Sequence, residues 1–242
     1  MSERRAQARP LRRPRSQHFL RPHVAAELVR DAELRGDELV LDVGAGDGRL
    51  TAELARAAAR VVAVELDPRL AASLRGRWPN VEVVEGDARE VELPREPFRV
   101  VANLPFHGTT EILRRLLDDP RVPLARADLV VEWGVAVKRG LPWPSSVNSV
   151  VWAAWYSVEV TRRLPRSAFV PQPSVDAGVL VLTRRERSLV PVRRAVEYRR
   201  FVARGFRRGG RCGSLPRDLD AHEWAALFLA SRARSSSARA RL

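Results

Sequence analysis

Cysteine and lysine are almost absent from this 242-residue chain, at one apiece. With Cys212 alone, no intrachain disulfide can form. No apolar run is long enough to span a bilayer. The first residues, Met-Ser-Glu-Arg-Arg, lack the apolar stretch of a secretory signal, so a cytoplasmic protein without membrane contact is expected. No hydrophobic heptad or self-association strip is present, which leads to the expectation of a monomer. What is present in quantity is apolar residue, 45% of the chain, enough to bury one large domain or a domain with a small appendage.

The net charge of +14 is unevenly spread. Residues 1–15 are net +5, residues 184–242 are net +11, and the middle is net −2. With Lys138 the only lysine, a GC-rich genome accounts for much of the arginine count, but not for its concentration at the two ends. A near-neutral body with cationic ends fits a catalytic domain whose extensions grip RNA or DNA, because phosphate neutralisation and counterion release supply most nucleic-acid affinity.

Residues 1–15, with Pro10 and Pro14 among the arginines, read as a basic flexible arm. A helix is expected from Pro22, since Val24, Leu28 and Val29 recur at helical spacing and Gly36 lies beyond its end. Strands are predicted over 39–43, 61–64, 81–84, 98–102 and 129–133, separated by helices over 49–59, from Pro68 to near Gly76, and over 111–117. That alternation implies a parallel sheet with right-handed crossovers. Two later β-rich stretches, 157–160 and 178–182, are expected to form an antiparallel hairpin at its edge. After Thr183 arginine becomes frequent, and helices over 195–206 and 221–231 suggest a small helical domain spanning 184–231. Residues 232–242 are low in complexity and expected to be a disordered tail.

Four strand ends carry chemistry. Asp42-Val-Gly44-Ala-Gly46-Asp-Gly48 follows the first strand, so its glycines give a tight turn and let a ligand approach the backbone. A dinucleotide fingerprint needs glycine where Arg49 stands, which disfavours NAD and FAD, and no Gly-Lys-Ser or Gly-Lys-Thr follows, which excludes a P-loop. Glu65 ends the second strand, where a carboxylate accepts from both hydroxyls of a ribose. Asp87, after the third, is placed to accept from an adenine amino group. Either acid alone also fits a solvated strand end or a helix cap. Asn103-Leu104-Pro105-Phe106 follows the fourth strand: an amide oxygen and a backbone carbonyl beside proline accept from an exocyclic NH2, and Phe106 offers a stacking face. A turn closing the strand is the plainer reading of the tetrapeptide. In this order the four point to S-adenosylmethionine as cofactor, an α/β Rossmann-like methyltransferase sheet over 16–183, and adenine N6 as acceptor, with no metal required.

With those residues in view, the chain resembles the rRNA adenine N6-methyltransferases, most closely the macrolide-resistance branch known as Erm, from Ser16 to Arg184. Ser16-Gln17-His18-Phe19-Leu20 is similar to that family's amino-terminal cofactor motif, Asn103-Leu104-Pro105-Phe106 with Thr109-Thr110 to its catalytic motif, and Ser167 through Asp176 to its Phe-x-Pro-x-Pro-x-Val segment. The resemblance implies that His18, Leu20, Gly44, Gly46, Glu65, Asp87 and Asn103 line the cofactor site. It implies that Asn103, Leu104, Pro105 and Phe106 hold the target base, and that Phe169 closes the base's other face unless it is a core residue. It further implies methylation of one adenine of 23S rRNA, before ribosome assembly is complete, giving resistance to macrolide, lincosamide and streptogramin B antibiotics. His18 departs from the family's usual Asn. The rival readings are a small-subunit (16S) rRNA adenine dimethyltransferase, favoured less by Phe106 and Pro142-Trp143-Pro144; a DNA adenine methyltransferase; and a non-catalytic nucleic-acid-binding factor on the same fold.

Overall fold

The computed structural model describes residues 17–140, 146–207 and 218–239. The expected basic arm, residues 1–15, lies outside them, as do residues 240–242 of the expected tail.

Apolar runs make the strands of a seven-stranded sheet. Its members are β2 (Leu39–Val43), β3 (Arg60–Glu65), β4 (Val81–Glu85), β5 (Phe98–Asn103), β6 (Leu124–Glu132), β7 (Tyr156–Leu164) and β9 (Ala177–Arg184). They lie in the order β4-β3-β2-β5-β6-β9-β7. The first five are parallel, and β9 and β7 pair antiparallel at one edge, as the two late stretches suggested. A separate two-stranded piece joins β1 (Phe19–Leu20) to β8 (Phe169–Val170).

Helices cover both faces. On one, α1 (Pro22–Asp31) and α2 (Arg49–Ala57) bury Leu28, Leu50 and Leu54 against Val40, Val61, Val101 and Val130, while α3 (Pro68–Leu74) seats Leu74 against Ala63. On the other, α4 (Thr109–Leu117), α5 (Trp133–Gly140) and α6 (Val147–Ala153) cover Leu41, Val100, Leu129 and Leu180. Fixed starts set the helices at the sheet's carboxyl edge: Gly48 and Gly108 precede α2 and α4 in the left-handed region, and the Asp67 carboxylate caps α3 by accepting from the Arg69 N–H at 2.9 Å.

Several bounds differ from expectation. β6 begins at Leu124 rather than near residue 129, because its charged Arg126 and Asp128 form an ion pair inside the strand at 2.7 Å. Trp133 opens α5 instead of ending β6. The arginine-rich end folds into α7 (Ala195–Arg207) and α8 (Ala221–Arg239). Their Tyr198, Val202, Trp224 and Phe228 share one core with Trp152 and Trp155 of the α6 region. α8 continues past Ser231 to Arg239, where low complexity suggested disorder; alanine and arginine are good helix formers. No helix among the described residues is long and apolar enough to cross a membrane.

Candidate active site

The carboxyl ends of β2, β3, β4 and β5 lie side by side, and the residues expected to line a site meet there. Gly44 and Gly46 turn the chain with φ of 77° and 59°. The Gly44 backbone faces the second motif so closely that a Cβ there would lie 3.5 Å from Cδ of Pro105 and 3.7 Å from the Asn103 carbonyl oxygen. Glycine loop and Asn-Leu-Pro-Phe turn are thus neighbours across β2 and β5.

Glu65 is 6% exposed, and its carboxylate is fixed by backbone N–H groups: Gly46 donates to Oε2 at 2.7 Å and Asp67 to Oε1 at 2.8 Å. Each oxygen has one further lone pair, which leaves acceptor capacity for two hydroxyls. Leu66 follows, an apolar side chain 61% exposed beside this carboxylate. Asp87 reaches the same edge, since Gly86 donates its N–H to the Glu65 carbonyl at 2.9 Å. Its carboxylate accepts the Arg89 backbone N–H at Oδ1 at 2.9 Å and is engaged by the Arg89 side chain, whose Nε donates to both oxygens at 2.9 and 3.0 Å and whose Nη2 donates to Oδ2, so each oxygen already accepts two donors. The side-chain hydrogen bonding holds the Asp87 carboxyl below its ordinary range.

Asn103 is oriented by the amino-terminal strand. Its Nδ2 donates to the His18 carbonyl at 2.7 Å, which fixes the amide so that Oδ1 faces the other way, buried and without a partner among the described residues. A buried acceptor with nothing to accept is costly, and its natural complement is a ligand N–H. Thr109 Oγ1 donates to the Pro105 carbonyl at 2.8 Å, which leaves that oxygen one further lone pair, and the Leu104 N–H is spent on the Val130 carbonyl at 3.0 Å.

Phe106 is half-buried, with its ring centroid 5.9 Å from that of His18 and 6.4 Å from that of Phe169. Phe169 is fully buried and edge-on to Phe106, so it backs that ring rather than facing the cleft. His18 Nδ1 hydrogen-bonds the Pro171 carbonyl at 2.9 Å, tying β1 to the loop after β8. Leu20 is buried, and it is the backbone that takes part: its carbonyl accepts from Arg49 Nη1 at 3.0 Å.

Beneath the glycine loop lies Asp42, 1% exposed, with Oδ2 accepting from Thr51 Oγ1 at 2.6 Å and Oδ1 without a partner among the described residues. Burial, opposed by that hydrogen bond and aided by the charge of Glu65, raises its carboxyl to about 7. Sequence reading took Asp42 only as the head of the glycine motif, named Thr109 only as part of the catalytic motif, and passed over Thr51 and Leu66. The exposed leucine directly after the strand-end Glu65 was the one signal that was open to reading. No cluster of His, Cys, Asp and Glu among the described residues is arranged to hold a metal.

The comparisons with known proteins agree with this geometry. The family model for ribosomal RNA adenine dimethylase matches residues 10–212. An rRNA adenine N-6-methyltransferase of Corynebacterium diphtheriae is 34% identical over 202 residues, covering 83% of this chain and 79% of its own length. The mycinamicin-resistance protein MyrB of Micromonospora griseorubida is 34% identical over 216 residues, covering 78% and 68%. The crystal structure of the 23S rRNA methyltransferase ErmE superposes with a TM-score of 0.73 at 30% identity, covering 87% of this chain and 98% of that one. The chain belongs to the ribosomal RNA adenine dimethylase family, and it is an rRNA adenine N6-methyltransferase of the Erm type.

Proposed function

We propose that this protein transfers a methyl group from S-adenosylmethionine to N6 of one adenine in 23S rRNA, as a cytoplasmic monomer acting before the large subunit is complete, and so confers resistance to macrolide, lincosamide and streptogramin B antibiotics. The observation that carries the reading is Asn103: its Nδ2 is committed to the His18 carbonyl and its buried Oδ1 is left to accept, beside a glycine loop and a ribose-sized acceptor at Glu65. Support for the finer terms comes from the names of two relatives, a resistance protein and a 23S rRNA enzyme.

The residues fit S-adenosylmethionine, which when bound supplies the methyl group on a sulfonium centre. Gly44 and Gly46 would let it approach the backbone, Glu65 would accept from the ribose hydroxyls, Leu66 would cover the purine, and Asp87 would accept from its amino group in place of one of the Arg89 bonds. Adenine N6 is a poor nucleophile because its lone pair is delocalised into the ring. Asn103 Oδ1 and the Leu104 or Pro105 carbonyl accept its two N–H bonds, which favours a pyramidal nitrogen and steadies the positive charge that develops there. Phe106 stacks on the base, which must leave its own stack to reach this edge. The proton departs to water after transfer. The arginine-rich ends, residues 1–15 and 184–242, contact RNA phosphates.

The test combines purified protein, labelled S-adenosylmethionine and protein-free 23S or 16S rRNA, with mapping of the modified base. Label at one adenine of 23S rRNA is expected; label confined to 16S rRNA would overturn the assignment. Asn103→Ala should abolish transfer while calorimetry still detects cofactor binding. Turnover within a few-fold of the parent would remove Asn103 from its role.

A further inference from the structure

β1 is too short to place itself. Its two residues pair with β8, and those two strands form a sheet apart from the seven-stranded one. A two-stranded ribbon is marginal alone, and pairing inside it does not fix where it stands against β5. Yet the His18 carbonyl just before it sits 2.7 Å from Asn103 Nδ2. The bonds from His18 Nδ1 to the Pro171 carbonyl at 2.9 Å and from the Arg21 N–H to the Ala168 carbonyl at 2.8 Å hold β1 to the β8 segment, not to the main sheet.

Arg49 supplies a tie from the main sheet's side. It is the first residue of α2, directly after Gly48 and the glycine loop that follows β2. Its Nη1 donates to the Leu20 carbonyl at 3.0 Å. The guanidinium is itself held at the helix start: Nε lies 2.9 Å from Asp47 Oδ2, and the Arg49 N–H donates to Asp47 Oδ1 at 3.3 Å. Two residues on, Thr51 pins the same turn of helix to β2 by donating to Asp42 Oδ2 at 2.6 Å. Hydrogen bonds from a charged donor are roughly twice as strong as neutral ones, and the Arg49 side chain is only 36% exposed, so water screens this one in part.

The contacts form one path. Asp47 holds Arg49, Arg49 holds the Leu20 carbonyl, and two residues earlier the His18 carbonyl accepts from the Asn103 amide. Packing runs alongside it: Leu20, Leu50 and Leu54 share one apolar cluster, against which Phe106 of the catalytic turn also packs. The Phe19 ring, between the two carbonyls in sequence, bears on the glycine loop, where a Cβ at Gly46 would lie 2.7 Å from Cε1. We propose that Arg49 is a positioning residue for methyl transfer, setting the Asn103 amide through β1 without touching base or cofactor. The assignment rests on the reading above that Asn103 Oδ1 accepts from the target amine.

The test uses the full-length protein labelled with nitrogen-15 asparagine, whose side-chain amides come from Asn80, Asn103 and Asn148 alone. Loss of one signal in Asn103→Asp assigns the Asn103 amide. In Arg49→Met, which keeps the apolar stem and removes the donors, the Asn103 amide protons should exchange with water about tenfold faster, with Asn80 and Asn148 unchanged. Turnover on protein-free 23S rRNA at saturating S-adenosylmethionine should fall about tenfold, while the calorimetric Kd for S-adenosylmethionine stays within about twofold. Asp47→Asn, which keeps an acceptor for the Arg49 N–H and removes the charge beside Nε, should move exchange and turnover in the same direction by less. An Asn103 amide unmoved in Arg49→Met would overturn the proposal. So would turnover equal to the parent's at saturating cofactor; a weakened Kd beside it would make Arg49 a cofactor contact instead. Should Arg49→Met not fold, Asp47→Asn decides, and amide exchange equal to the parent's sinks the idea. A parent that methylates no rRNA, but whose Asn103 amide loosens in Arg49→Met, keeps the positioning and breaks only the proposed reaction.

Discussion

A single methyl group at residue 46 would strike the ring that closes the cofactor loop. Gly46 sits at φ 59°, and a Cβ there would lie 2.7 Å from Cε1 of Phe19. Gly36 has φ 82° with nothing within 4 Å, so it provides the control. Gly36→Ala should lose only the conformational cost of about 1–2 kcal/mol. Gly46→Ala should lose that and also shift β1, releasing Asn103 from the His18 carbonyl and lowering methyl transfer at least tenfold in steady-state assays. Equal activity in the two variants would show that the Phe19 contact is immaterial. Asp42 makes a prediction about pH. Its carboxyl is about 7 in the fold against a reference of 3.8, so between these values the folded protein holds a proton that the unfolded chain has released. Its contribution to stability is full below pH 4 and lost as pH rises through 7. Asp42→Asn should remove that slope, and urea unfolding at several pH values would reveal it; parallel curves for variant and parent would refute the raised carboxyl. Residues of these two kinds differ in legibility. Gly44, Glu65 and Asn103 could be proposed from residue type and strand-end position taken together, whereas the state of Asp42 depends on burial that no local pattern encodes. His18 and Leu20 came only through family resemblance, since a two-residue strand has no periodicity to read.

Among the elements, the amino ends of β5 and β6 are joined to α1 by a buried ionic network. Arg99, 6% exposed, donates to the Ala32 carbonyl, to the Glu33 carbonyl at 3.2 Å, to Glu38 Oε2 at 3.2 Å and to Asp128 Oδ2 at 3.4 Å. Burial raises the Asp128 carboxyl against the pull of Arg126 and Arg99. Arg99→Met leaves that carboxylate short of a partner, and loss of about 3 kcal/mol is expected in chemical denaturation. Adding Asp128→Asn should recover part of it; a double variant as unstable as the single one would place the loss elsewhere. The same charges explain why β6 was read short, because Arg126 and Asp128 interrupt its apolar run. β2, β3 and β5 were legible because they are nearly continuous apolar segments, and edge strand β4 because its valines alternate with or flank glutamate. α6 was missed: it is a seven-residue helix whose start depends on Ser146 accepting from the Ser149 N–H at 3.3 Å.

For the whole molecule, the arginine-rich end contributes packing as well as charge. Trp155 donates its Nε1 to the Val190 carbonyl at 3.0 Å and meets Tyr198 edge-on at 6.0 Å, and Tyr198 in turn meets Phe228 at 5.3 Å. Ending the chain after Val190 would uncover Trp155 and the flank of α6. Thermal melting followed by circular dichroism should then show loss of the cooperative transition or a fall of well over ten degrees, because several large aromatic side chains lose burial together. A truncated chain that melts within a few degrees of the parent would show that the carboxyl-terminal helices fold as an independent unit. Charge partition along the sequence pointed to a distinct segment; it carried no sign of how the aromatic side chains among those arginines would pack. The β1–β8 pairing has a consequence in time. His18 bonds a carbonyl 153 residues further along the chain, so during synthesis this clasp closes only after Pro171 has emerged, with β2 to β7 already made. Until then β1 has no partner strand to hold the His18 carbonyl against Asn103, and the amide that organises the turn is set late.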